Sequence, residues 1–209
     1  MRLGLSPWHT NPHRDRAVFG FGLPVLIAAV CGCAPMRVTF IQPQAPGGVV
    51  KNSLCPPQAD VLLFEREGVV AALHTRSAGS GRRAVCLSFE VPAHRTVRLL
   101  GSSLVVTTAR GERASSQMIG VWYGSGNRSA AVGPDSLMRG RTQRLRFGTR
   151  TAYGITRHDF YSFSAEYATD LGETFTVTLP KVAVNGFSWD LPAVRFARVR
   201  RWVLMPFNC

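Results

Sequence analysis

The sequence predicts an all-β chain, folded as an antiparallel β-sandwich or a partly closed barrel. Apolar and polar residues alternate with period two in segment after segment, whereas no window of helical length keeps an i, i+3, i+4 apolar stripe. The strands so marked are short and punctuated by 20 Gly and 13 Pro in 209 residues, which is the pattern of a sandwich or barrel. Val182-Ala-Val-Asn185-Gly186-Phe-Ser-Trp189 adds a hairpin signal, because Asn-Gly between two alternating runs supplies the positive φ angles of a type I′ turn.

Taken in order, the alternation marks strands at Met36 to Ile41, Val61 to Glu65, Val69 to His74, Ala84 to Val91, Thr96 to Thr107 and Gln117 to Tyr123. It continues through Gln143 to Phe147, Asp159 to Tyr167, Glu173 to Leu179, Lys181 to Val184, Phe187 to Leu191 and Val194 to Met205. Between Asp159 and Tyr167 the residues Tyr161, Phe163, Ala165 and Tyr167 take one face and Ser162, Ser164 and Glu166 the other. Phe175, Val177 and Leu179 form the apolar set of the following strand. Each of these two reads as half-buried, with core on one side and water on the other. Pro180 and Pro192 flank the Asn-Gly hairpin and confine its strands to an edge or to short pairings.

Two stretches read as irregular. Ile41 to Pro57 is rich in Pro, Gly and Gln and suits a tether. Gly124 to Arg141 is long for a connection inside a compact domain, and such loops are functional or mobile. No internal repeat is present.

The N-terminus is an address. Arg2, Arg14 and Arg16 form a basic region, Ala17 to Val30 is apolar, and small residues close the run, which is the order of an export signal. Its end, Val30-Cys31-Gly32-Cys33-Ala34-Pro35, resembles the lipobox of bacterial lipoproteins, with an aliphatic residue three places before Cys33 and a small one just before it. The resemblance implies cleavage before Cys33 and acylation of its thiol and new amino group. It also implies the outer membrane, since no aspartate follows the cysteine. Two other readings of the stretch stay open: ordinary cleavage after Ala34, and an uncleaved apolar anchor at the short limit for a membrane span. The expected organisation is therefore a signal peptide over 1–32, a lipidated Cys33 with a tether over 33–57, and a single β-sandwich domain over 58–209.

The whole chain carries a formal charge of +13. With residues 1–32 go Arg2, Arg14, Arg16 and Asp15, leaving 22 basic and 11 acidic side chains, of which only Lys51 and Lys181 are lysine. A basic excess at this address predicts attraction to lipid headgroups, phosphate-bearing glycolipid or acidic proteins. Arg139, Arg141, Arg144, Arg146 and Arg150 fall within twelve residues that contain no acid. Leu145 and Phe147 alternate with Arg144 and Arg146, which turns those two arginines outward together. The residues expected to bind an anionic surface are Arg139, Arg141, Arg144 and Arg146. A second basic run, Arg195, Arg198, Arg200 and Arg201, precedes Trp202.

Cys55, Cys86 and Cys209 follow the anchor. An oxidising compartment allows one disulfide and leaves one thiol over. Cys86 lies within a strand, on the face of Ser88 and Glu90, so the pairing preferred is Cys55 with Cys209.

Chemistry-bearing motifs are absent from the sequence. His74, His94 and His158 lie on different segments, and there is no HExxH, GxxxxGK[ST] or GxSxG. His158 and Asp159 beside Tyr161 form the one acid and base neighbourhood, yet adjacent strand residues point to opposite faces. The expectation is a non-catalytic outer-membrane lipoprotein on the periplasmic face, with a structural or interaction role in the envelope. No cofactor and no metal are expected. The expected partners are the membrane, through the lipid anchor, and an anionic envelope component or envelope protein, with no nucleic acid. An envelope-located hydrolase and a β-barrel binder of a small apolar ligand are the competing classes.

Overall fold

The computed structural model describes residues 33–52, 59–79, 82–123, 129–141, 148–168 and 171–206. In chain order the first strands are β1 (Cys33–Gln44), β2 (Val49–Lys51), β3 (Val61–Arg66), β4 (Val69–Ser77), β5 (Arg83–Val91), β6 (Thr96–Leu99), β7 (Ser103–Thr108), β8 (Arg113–Gln117) and β9 (Ile119–Tyr123). They are followed by β10 (Ser129–Val132), β11 (Met138–Arg139), β12 (Thr149–Thr151), β13 (Gly154–Thr156), β14 (Asp159–Tyr167), β15 (Thr174–Thr178), β16 (Val182–Val184), β17 (Phe187–Trp189) and β18 (Val194–Pro206). Among the described residues there is no helix, and the sheets are antiparallel and do not close into a barrel, so the fold is an all-β sandwich. The chain divides into a large unit, Arg37–Arg201, and a small one made of Met1–Met36 with Trp202–Cys209, of which 33–36 and 202–206 are described.

Three sheets build the large unit, in the orders β1-β18-β15-β7-β8, β10-β9-β14-β5-β4-β3-β2 and β11-β6-β16-β17, and a separate hairpin pairs β12 with β13. Their inner faces share one core. Phe89 meets Phe163 edge-on with ring centres 6.4 Å apart, and Phe175 stacks on Phe196 at 5.0 Å. Tyr161, Phe163, Ala165 and Tyr167 of β14 all point into this core, as the alternation predicts, and so do Phe175 and Val177 of β15. Phe163, Phe175 and Val177 each contribute about 1.5–3 kcal/mol by leaving water. The opposite face of the central strands is not uniformly wet, because Ala72, Cys86, Ser88 and Phe160 are buried as well.

The stretch Thr96 to Thr107 is two strands, not one. The chain leaves the four-stranded sheet after β6, and Leu100 donates its N–H to the Lys181 carbonyl at 2.8 Å. It enters the five-stranded sheet as β7. A second crossing, into the seven-stranded sheet, is at Met118 between β8 and β9, whose N–H bonds the Ser102 carbonyl at 2.8 Å. The buried positions change phase at the first bend, from Val97 and Leu99 to Leu104 and Val106, but keep it at the second, through Met118 to Gly120. Alternation therefore marks the first bend as a break at Leu100 to Ser103 and does not reveal the second.

The tether expected over Ile41 to Pro57 is corrected. Through Lys51 the chain forms the end of β1 and the whole of β2, with Phe40 and Ile41 buried and Val49, Val50 and Lys51 paired to Leu63, Leu62 and Val61. Both are outermost strands of their sheets, where Pro43 and nearby Pro46 break no central ladder. Residues 53–58 lie outside the described residues, as does the strand expected at Gln143 to Phe147. The long loop expected from Gly124 to Arg141 instead contributes β10 and β11 over its described part.

Candidate anion-docking face

Two of the four arginines expected to meet an anionic surface, Arg139 and Arg141, stand at one end of the sandwich on a backbone fixed from three directions. β11 pairs Met138 with Val97 and Arg139 with Thr96, and the Met138 side chain is a fully buried plug. On the other side of β11 no strand pairs with it among the described residues. There the Tyr161 hydroxyl accepts the Arg139 N–H at 3.0 Å and donates to the Arg139 carbonyl at 2.9 Å. Burial, the larger influence, and the neighbouring Asp159 push the Tyr161 hydroxyl above its ordinary pKa, while the Arg139 backbone bond and Arg141 pull the other way.

Gly140 separates the two arginines. Its N–H bonds the Arg95 carbonyl at 3.0 Å and its carbonyl accepts the His94 N–H at 3.2 Å. A Cβ here would run into the carbonyl of Pro92, so this close approach of two backbones demands glycine. Arg141 then donates its N–H to Asp159 Oδ2 at 2.7 Å, while Trp122 Nε1 donates to Asp159 Oδ1 at 3.0 Å. Asp159 is fully buried. Hydrogen bonds to a carboxylate contribute about 1.5–3 kcal/mol, enough to hold this turn. The Arg141 guanidinium lies 5.6 Å from the Trp122 ring centre, a cation–π contact worth about 0.5–1 kcal/mol. Both arginine side chains remain exposed, and Arg139 forms no ion pair among the described residues.

The neighbouring turns are locked to each other. Asn185 and Gly186 have φ of 51° and 86°, the type I′ geometry the sequence predicts, and Glu67 and Gly68 repeat it at 53° and 79°. Asn185 Nδ2 donates to Glu67 Oε2 at 2.6 Å, and Asn185 Oδ1 accepts the Thr96 N–H at 3.0 Å. Arg95 bridges the same Glu67 oxygen at 3.3 Å, and the Arg66 guanidinium donates to the Ser188 carbonyl. His94, with φ of 66°, completes three non-glycine residues in the left-handed region at this end. Such strain persists only where surrounding bonds over-determine it.

The other expected residues divide as follows. Arg144, Arg146, Cys55 and Cys209 lie outside the described residues, and of Cys33 only the backbone is described, as the first residue of β1. Cys86 is a free, buried thiol. Burial pushes its pKa up, and the Arg76 side chain pulls against that. Directly across the ladder from it, His74 is held down to about 4 by burial first and Arg76 second, and its buried Nδ1 meets no partner among the described residues.

His158 and Asp159 do point apart. Asp159 serves Arg141 and Trp122, whereas His158 Nε2 stands 4.0 Å from Glu90 Oε1, and Tyr153 donates to Glu90 Oε2 at 3.5 Å. Both are too long for a proton relay. Among the described residues no three His, Cys, Asp or Glu gather as metal ligands. A surface groove of about 370 Å³ is lined by Thr108, Arg110, Glu112, Leu171 and Glu173, a charged lining that does not suit an apolar ligand.

Sequence reasoning singled out Arg139 and Arg141 by charge alone. It missed Asp159, Trp122 and Tyr161, which reach β11 or Arg141 by contacts distant in sequence, and Gly140, whose need for glycine comes from the distant Pro92. No family model matches the chain, and no curated protein matches it in sequence.

Proposed function

We propose that this chain is a lipid-anchored protein of the bacterial outer membrane, facing the periplasm, whose sandwich serves a structural or interaction role. Its working surface is the arginine-bearing end, with Arg139 and Arg141 contacting an anionic envelope component and Arg144 and Arg146 extending the contact. The observation that carries this reading is the combination of exposed guanidinium groups with a backbone fixed by Tyr161, Arg95, Pro92 and Asp159. A preorganised support lowers the ordering cost of binding, and guanidinium forks match phosphate and carboxylate oxygens. The address rests on the export signal and the lipobox-like run ending at Cys33. A non-catalytic role is favoured over a hydrolase by the separation of His74, His94 and His158, none of which is joined to a nucleophile within hydrogen-bond reach among the described residues.

The test is cosedimentation of the acylated full chain with phosphate-bearing envelope vesicles across a salt series. Arg139→Glu with Arg141→Glu is expected to lower binding by about tenfold or more, with an unchanged unfolding transition. Arg110→Glu with Arg113→Glu, on exposed residues of the β7–β8 turn region, serves as the control for net charge. Equal losses in both double variants would reduce the docking face to general charge and overturn its assignment.

A further inference from the structure

We infer that the outer face of the four-stranded sheet binds an anionic phospholipid, with Arg98 and Arg139 on its phosphate and the exposed Leu100 and Leu137 against the apolar part beside it. The inference rests on the docking role proposed for Arg139 and names the ligand of that end. Val97, Leu99, Met138, Val182 and Val184 are buried, so by alternation Thr96, Arg98, Arg139, Ala183 and Ser188 turn outward. Arg139 pairs with Thr96, Arg98 with Ala183, and Ala183 with Ser188. Arg98 and Arg139 are therefore diagonal neighbours on adjacent strands, about 7–8 Å apart. Thr96, Ala183 and Ser188 form a low floor beside them, and two guanidinium forks on long stems can close on one phosphate there.

Charge complementarity selects an anion. The strands β6, β11, β16 and β17 contain no acidic residue. Among the described residues neither Arg98 nor Arg139 forms an ion pair. Glu67, at the neighbouring turn, is held by Asn185 and Arg95, and Lys181 and Asp190, past the strand ends, add one charge of each sign. Two like charges on neighbouring strands repel, whereas an anion between them attracts both.

The leucines select a lipid over a soluble anion. Leu100 is 54% exposed and Leu137 44% exposed. Leu137 precedes β11 on the outward side, and Leu100 extends the pairing of β6, with its N–H on the Lys181 carbonyl at 2.8 Å. Free phosphate or a purely acidic segment would leave both side chains in water. A phospholipid carries apolar chain next to its phosphate and covers them.

The experiment is calorimetric titration of the full chain with dihexanoyl phosphatidylglycerol kept below its micelle concentration. Dihexanoyl phosphatidylcholine supplies the same chains without net charge, glycerol 3-phosphate the phosphate without chains, and polyglutamate an acidic peptide. The anionic lipid is expected to bind at least about tenfold more tightly than any of the three. Arg98→Glu, and separately Leu100→Asn with Leu137→Asn, are each expected to weaken its binding about tenfold, whereas Arg113→Glu, on exposed β8 of another sheet, leaves it unchanged. Equal affinity in wild type and Arg98→Glu, together with a loss in Arg139→Glu, overturns this inference and leaves the docking end standing. Glycerol 3-phosphate or polyglutamate binding as tightly as the lipid overturns the lipid and leaves an anionic partner. Unchanged affinity in both Arg98→Glu and Arg139→Glu overturns the docking role and this inference with it.

Discussion

Tyr161 closes both backbone hydrogen bonds of Arg139 with a single phenolic oxygen, accepting the N–H at 3.0 Å and donating to the carbonyl at 2.9 Å. One side chain thus does for β11 what a neighbouring strand would have done. β11 has only two residues, and among the described residues β6 is its one strand neighbour, so the phenol is what orders its other side.

Tyr161→Phe keeps the ring and removes the bridge. The Arg139 N–H and carbonyl are left to find water at a half-buried site, which costs about 1–3 kcal/mol. Urea unfolding is expected to show that loss. Binding to anionic vesicles is expected to fall although no charge has changed. Unaltered binding in Tyr161→Phe would show that the fixed backbone is irrelevant to docking.

Gly140→Ala examines the same support from the other side. The added methyl meets the Pro92 carbonyl, so the turn must move and the Gly140 bonds to Arg95 and His94 lengthen. Overpacking of this kind costs about 1–3 kcal/mol. Faster amide exchange at His94 and Gly140 is the expected readout, and native exchange rates at both would contradict the close approach.

His74 gives the fold an acid limb. Its folded pKa of about 4 lies below the ordinary 6.5, so in that interval the unfolded chain binds the proton and the folded chain does not. Stability contributed by the neutral imidazole is present above pH 6.5 and is lost as pH falls toward 4, by up to about 3 kcal/mol. Unfolding free energies measured at about pH 7 and about pH 4.5 should differ less in His74→Gln than in wild type. An identical pH dependence in the two would remove His74 as the cause.

Cys86 is expected to resist alkylation in the native protein, because its thiol is buried and its pKa is raised by that burial. Peptide mapping after iodoacetamide treatment should find the Cys86 peptide modified only once the chain has been unfolded. Rapid native modification would place the thiol at the surface.

Legibility in the sequence follows the range of the interactions. The core faces of β14 and β15 and the Asn185-Gly186 turn are set by neighbours a few residues away, and alternation or turn chemistry reveals them. β8, Arg-Ala-Ser-Ser-Gln, carries no apolar alternation and is a strand because β7 pairs with it. The Glu67-Gly68 turn adopts type I′ geometry with a residue that rarely signals it, held by Asn185 and Arg95 from afar. The site divides in the same way. Local charge density pointed to Arg139 and Arg141, whereas the burial of Asp159 and the bond from Tyr161 exist only once β14 packs beside β9 and β5.

The bond between Asn185 and Glu67 joins positions 118 residues apart in the chain. Loops that close so late in sequence impose a large entropic toll before any contact rewards it, so they complete late in folding. The arginine-bearing end draws on residues near 66, 94, 140 and 186, which a chain that stops short of Gly186 cannot bring together. The order of this end thus reports that strands from both halves of the chain have met, and any disturbance of one of them is felt at the arginines.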